Sequence, residues 1–203
     1  MLCNLNNRAL VSISGADAES FLQNQFSNDI SQLGHSHIQM NAYCQHQGKI
    51  IALFWVMRSE NGFLLSFPIE LLDTVISRLQ MFVIMSDVII EDVTNNFLQV
   101  GSINEIDNKG YSINKNLSLI VQSSNNAFEG TIANEDEWTK CCIDSDIPEV
   151  FLSTSEKLLP QMLNLDIDEF GVNFSKGCYP GQEVVARLHY LGDAKRRLFA
   201  FIS

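Results

Sequence analysis

Apolar and polar positions recur along this chain at spacings that predict most of its elements. An apolar stretch over 9–13 predicts a strand, and the segment 17–26 predicts a helix with Phe21, Leu22, Gln25 and Phe26 on one face and Ser14 or Gly15 near its cap. Three further strands are predicted over 38–43, 49–57 and 62–67, the last two joined by the turn-forming cluster Ser59, Glu60, Asn61 and Gly62, which makes a small antiparallel meander. Pro68 then opens a helix whose apolar residues Leu71, Leu72, Val75, Ile76, Leu79, Phe82 and Val83 recur at three and four. Met81, Phe82 and Met85 are expected in the core rather than in a sulfur-rich pocket. The segment 88–91 is expected to return to the sheet.

From residue 94 to 135 the pattern is weaker, with Asn-rich loops around short strands predicted over 97–103, 117–121 and 128–132. A helix over 134–143 carries Trp138. From Gln182 onward, Val184, Val185, Leu188 and Leu191 fall at helical spacing. Strands mixed with helices in this order predict an α+β fold, divided into an N-terminal lobe over 1–93 and a second lobe over 94–203.

With 203 residues, 46% of them hydrophobic, and a mean hydropathy of +0.04, the chain is expected to be a globular protein of one domain or two small ones. The longest wholly apolar run, residues 50–57, is far short of a membrane span, and the first twenty residues lack the layout of a secretory signal. A cytoplasmic protein without a membrane partner is expected. Five cysteines and four histidines show neither a disulfide framework nor zinc spacing, so reduced thiols and no dedicated metal site are expected. The net charge of −11 argues against direct nucleic-acid binding. Five basic and two acidic residues follow Ser175, so that tail stands at +3 and the remainder at −14. An anionic ligand would find its counter-charge there. Lys195, Arg196 and Arg197 read as a solvated basic face, which makes Lys176 and Arg187 the better ligand candidates.

The densest chemistry lies in Lys176-Gly177-Cys178-Tyr179-Pro180-Gly181-Gln182-Glu183-Val184-Val185-Ala186-Arg187. Gly177 and Gly181 permit backbone angles that other residues resist, and Pro180 fixes φ just before a helix start at Gly181 or Gln182. Cys178 admits two readings: a small buried residue at a tight turn, or a thiol whose thiolate is favoured by the helix N-terminus, Lys176 and Arg187. Gln182 and Glu183 either bind polar edges of a ligand or cap their own helix. Tyr179 wedges the loop against the core, and Arg187 pairs with a carboxylate, internal or on a ligand.

This run resembles the signature of the YgfZ family, a folate-binding group similar to the glycine-cleavage T-protein. Residues 15–25, 26–30 and Gln47-Gly48-Lys49 resemble further segments of that family in the same order, with Asn24 standing where the family usually has Gly. The resemblance implies a T-protein-like folate-binding fold of antiparallel sheets with packed helices, a shortened second lobe, and a chain that stops at the start of the family's C-terminal β-barrel. It also implies binding of tetrahydrofolate or a derivative, and an accessory role in the synthesis or repair of iron–sulfur enzymes, including those that thiolate tRNA, with such client proteins as partners. Cys178 would be the functional thiol. Trp138 would be the pterin platform, and Lys176, Tyr179, Gln182, Glu183 and Arg187 would complete the site. A second family tryptophan is replaced by Arg8.

T-protein relatives carry a catalytic aspartate after the Gln-Gly turn, whereas residues 48–57 contain no carboxylate. This argues against aminomethyl transfer. A folate-dependent one-carbon transferase using another acid is the alternative, and a ligand-free scaffold is a third reading. A cysteine hydrolase has little support, because His189 stands eleven residues from Cys178 and no third partner is apparent.

Overall fold

A computed structural model describes residues 1–84, 86–104, 110–125, 134–192 and 194–200. In chain order the elements are β1 (Leu2–Asn4), β2 (Arg8–Ser14), α1 (Ala18–Gln25), β3 (Gln39–Cys44), β4 (Ile50–Ser59), β5 (Gly62–Pro68), α2 (Leu72–Gln80), β6 (Ile89–Asp92), β7 (Phe97–Ile103), β8 (Tyr111–Ser112), β9 (Leu117–Ser123), α3 (Glu135–Asp144) and α4 (Gln182–Leu191). The α+β class holds. Strands pair antiparallel in a five-stranded sheet of order β3-β4-β5-β2-β6 and a four-stranded sheet of order β1-β7-β9-β8.

Alternation along β2 decides the layering. Ala9, Val11 and Ile13 face a core shared with Phe21, Leu22 and Phe26 around α1 and with Leu71, Val75 and Leu79 around α2. Leu10 faces the other way, into a core with Leu53, Trp55, Leu119, Trp138 and Val185. The five-stranded sheet is therefore covered on both faces, by α1 and α2 on one side and by the second sheet with α3 and α4 on the other. That is why β4 carries the long apolar run, with all of residues 50–57 buried.

The expected elements from residue 9 to residue 67 are present to within a few residues, as are those containing Trp138 and Gln182. One helix is shorter than its pattern. The segment opened by Pro68 begins as a 3₁₀ turn over Ile69–Leu71, and α2 ends at Gln80. Past that point the amides of Phe82 and Val83 bond only three residues back, to Leu79 and Gln80, as the chain turns to meet Asp17, whose side chain and amide hold Asp87. Met81 and Phe82 are thus exposed rather than in the core, while Met85 and the strand expected over 128–132 lie outside the described residues.

Candidate functional site

The motif loop is held to the rest of the molecule at three points. Asn173 Oδ1 accepts from the amides of Ser175 and Lys176, and the Asn173 amide donates to the carbonyl of Ser27. Lys176 then turns its ammonium inward, where Nζ donates to the carbonyls of Gln23, Phe26 and Asn28 at 2.7, 2.5 and 2.8 Å. These carbonyls lie at and just beyond the end of α1, where backbone acceptors lack helical partners. Burial pushes the Lys176 pKa down to about 8, opposed by the charge of Asp29.

The third point is a close approach of two glycine turns. Gly181 has φ +83°, and a Cβ there would stand 2.5 Å from the carbonyl oxygen of Gln45 and 2.7 Å from Gly48 Cα. Gly48, at φ +78°, meets the Val184 side chain in return. The Gln-Gly-Lys turn and the motif turn therefore fit against each other because neither carries a side chain at the contact. Gly177 differs: its φ is not positive, and a Cβ there would meet nothing within 4 Å.

On this frame Cys178 is exposed, one residue before the buried Tyr179. Tyr179 packs inward as expected. Its hydroxyl has no partner among the described residues, and burial drives its pKa well above the usual phenol range. Gln182 Nε2 reaches back to the carbonyls of Lys176 and Gly177, both at 3.5 Å, and neither Gln182 nor Glu183 caps α4. Glu183 and Arg187 are exposed, and Arg187 has no carboxylate partner among the described residues. Arg197 is not part of a free basic face, since its guanidinium pairs with both carboxylate oxygens of Asp166 at 2.8 and 3.0 Å.

Trp138 stands elsewhere. It is buried, edge-on to Trp55 with ring centroids 6.1 Å apart, and lies over Gly101, whose missing side chain makes room for the indole. Together they wall a cavity of about 380 Å³, within the ~300–1,000 Å³ range of small-molecule sites. Arg8, Glu135, Cys142 and Glu149 also line it, but no residue of 176–187 does. The expected single site is thus two separate places: a cavity around Trp138, and a loop that presents Cys178.

Glu149 escaped the sequence reading, and Arg8 entered it only as the replacement of a family tryptophan. Arg8 is 4% exposed, lies 3.8 Å over the Trp55 ring, and donates to Ser66 through Nε and Nη2 and to Glu149 Oε2 at 2.6 Å. Ser66 and Gln99 extend the network back to the Arg8 carbonyl. The available signal was a charged residue opening a strand whose other residues are apolar or serine. Cys142, also in the wall, has its pKa pushed up to about 12 by burial and by Glu149, and stays a thiol at neutral pH. All five cysteines are free. Among the described residues no group of His, Cys, Asp or Glu is placed to hold a metal, and no helix is long and apolar enough to cross a membrane.

No protein-family model matches the chain. It is 30% identical over 206 residues to an uncharacterized protein of Haemophilus influenzae, a match covering 98% of this chain and 72% of the relative. It is 30% identical over 231 residues to the tRNA-modifying protein YgfZ of Enterobacter sp. strain 638, covering 98% and 70%. It is 27% identical over 233 residues to the tRNA-modifying protein YgfZ of Colwellia psychrerythraea, covering 100% and 71%. Among solved structures, aminomethyltransferase T of the glycine cleavage system from Bartonella henselae aligns with 49% of this chain and 27% of its own, at 14% identity and a TM-score of 0.45.

Proposed function

Because this chain belongs to the YgfZ family, whose curated members are called tRNA-modifying proteins, we propose that it is a cytoplasmic tetrahydrofolate-binding accessory factor supporting the synthesis or repair of iron–sulfur enzymes, including those that modify tRNA. The observation that carries the folate reading is the Trp138 cavity, whose lining combines the aromatic residues Trp55 and Trp138 with the polar residues Arg8, Glu135 and Glu149. A reduced pterin is flat and carries donors and acceptors on its edge, so it fits such a wall. Bound there, a folate would supply a one-carbon carrier. The chain's own residues bind and orient it: Trp138 offers a ring face, and the Arg8–Glu149 pair closes the wall below Trp55.

Cys178 has a different part in this reading. It is an exposed thiol on a loop anchored through Lys176, Asn173 and Gly181, and is presented outward to client proteins. A thiolate is the form that contacts iron or is oxidised, and one cysteine does not hold a cluster by itself.

Calorimetric titration of tetrahydrofolate into the full chain tests the cavity. Saturable binding is expected, weakened about tenfold by Trp138→Phe, which keeps an aromatic ring but loses contact area. Absence of heat at millimolar ligand would overturn the folate reading. For the thiol, cells lacking the protein should recover tRNA thiolation with the wild-type gene and not with Cys178→Ala. Full recovery with the variant would remove Cys178 from the reading.

A further inference from the structure

Residues 194–200 carry no helix or strand, and among the described residues no backbone–backbone hydrogen bond ties them to the rest of the chain. Side chains fix them instead, all on the 3₁₀ turn Pro160–Leu163 and the residues just after it. Arg197 pairs with both carboxylate oxygens of Asp166 and donates to the Gln161 carbonyl at 3.1 Å, while Asn164 Nδ2 donates to the Leu198 carbonyl at 2.9 Å. The same turn supplies Leu163 to the wall of the Trp138 cavity, and Leu198 lies in that wall too. With Arg197, Phe199 and Ala200, Leu198 also lines an outer groove of about 1050 Å³, and Ile143 of α3 is the other residue shared by the two linings. Leu198 and Ile143 thus stand between cavity and groove. Ile143 is fixed in a helix, whereas Leu198 is held by the Arg197 and Asn164 side chains. Releasing it forfeits little apolar burial, since Leu198 is 44% and Phe199 71% exposed.

We propose that residues 195–200 form a cover of the Trp138 cavity, latched by Arg197 on Asp166, and that Arg197 is a positioning residue acting through Leu198. Latched, the cover sets the Leu198 side chain against a ligand in the cavity. Released, it joins the cavity to the outer groove and lets the ligand pass. The cover rests on its own geometry, and only the identity of the ligand, a reduced folate, rests on the folate reading.

Trp55 and Trp138 are the chain's two tryptophans and both line the cavity, so quenching of intrinsic fluorescence by acrylamide reads access to it without a ligand. In the full chain, Arg197→Ala should raise the quenching constant at least about twofold, and Arg197→Lys, which keeps a charged contact to Asp166, should fall between that variant and wild type. Arg58→Ala is the matched control, because Arg58 is also ion-paired, to Glu19 of α1 on the other side of the five-stranded sheet, and its loss should leave quenching unchanged. In calorimetry, Arg197→Ala and Leu198→Ala should each bind tetrahydrofolate about fivefold more weakly, and the double variant should stay within about twofold of Leu198→Ala, since the two act as one unit. Quenching unchanged in Arg197→Ala, or raised as much in Arg58→Ala, would overturn the cover whatever tetrahydrofolate does. Raised quenching in Arg197→Ala alone, with no tetrahydrofolate binding to wild type, would overturn the folate reading and leave the cover standing. Should Arg197→Ala not fold, Asp166→Asn weakens the latch from its other side and is held to the same outcomes.

Discussion

Lys176 shows how far a residue's work can lie from its neighbours in sequence. Between two glycines and a cysteine it reads as the counter-charge of a ligand or a thiolate, yet its three donors are taken by carbonyls about 150 residues earlier in the chain. Replacement by Met keeps the length and leaves those carbonyls unpaired, so Lys176→Met should lower the unfolding free energy in urea by about 2–4 kcal/mol. The effect depends on pH with a definite sign. Burial depresses the folded-state pKa to about 8, below the ~10.4 of an unfolded lysine, so between those values the unfolded chain binds more protons and the wild type gains stability as pH rises. The gap between wild type and Lys176→Met should therefore widen from pH 7.5 to pH 10, and a gap that narrows would refute the assignment. Arg8 and Glu149 were illegible for the same reason as Lys176. Each is an ordinary charged residue until the fold brings positions 141 apart together beneath a tryptophan. Trp138 and Cys178 stood out because their chemistry is uncommon, which needs no partner to be noticed.

At the scale of elements, local periodicity carried most of the information. Strands β2 to β5 and helices α1, α3 and α4 lie where alternation or helical spacing puts them, since their inward faces are set by residues only a few positions apart. The end of α2 was not readable, because the apolar spacing continues to Val83 while the chain must turn back to reach Asp17. The two motif glycines also look alike in sequence and differ in place. Gly181→Ala sets a Cβ into the Gln45 carbonyl at a positive φ and should cost about 2 kcal/mol or more, whereas Gly177→Ala meets open space and should change stability by less than about 0.5 kcal/mol. Thermal melts of the two variants side by side check the contrast. Equal losses would mean that the turn-on-turn contact at Gly48 does not hold the loop.

Across the whole molecule, the five-stranded sheet separates two cores, and the Trp138 cavity and the Cys178 loop are built from different contacts around it. Sequence resemblance joined them into one site because their residues follow each other along the chain, and sequence order does not report which wall of a fold a residue faces. Independence follows: Cys178→Ala should leave tetrahydrofolate affinity within about twofold of wild type, because sites without shared partners behave additively. A loss of tenfold or more in calorimetry would show that the loop and the cavity are coupled. The clasp between the motif and the end of α1 bears finally on the order in which the protein is made. Strands β3, β4 and β5 pair with their neighbours in sequence and β2 pairs with β5, all of it made before residue 69, but the carbonyls at the end of α1 wait for Lys176, and Ser27 waits for Gly171 and Asn173. On a ribosome the first sheet emerges with its seam still open, and synthesis of the motif closes it. The loop that presents the thiol is thus the last stitch of the N-terminal half, so a chain that displays Cys178 correctly is one whose earliest-made part is already complete.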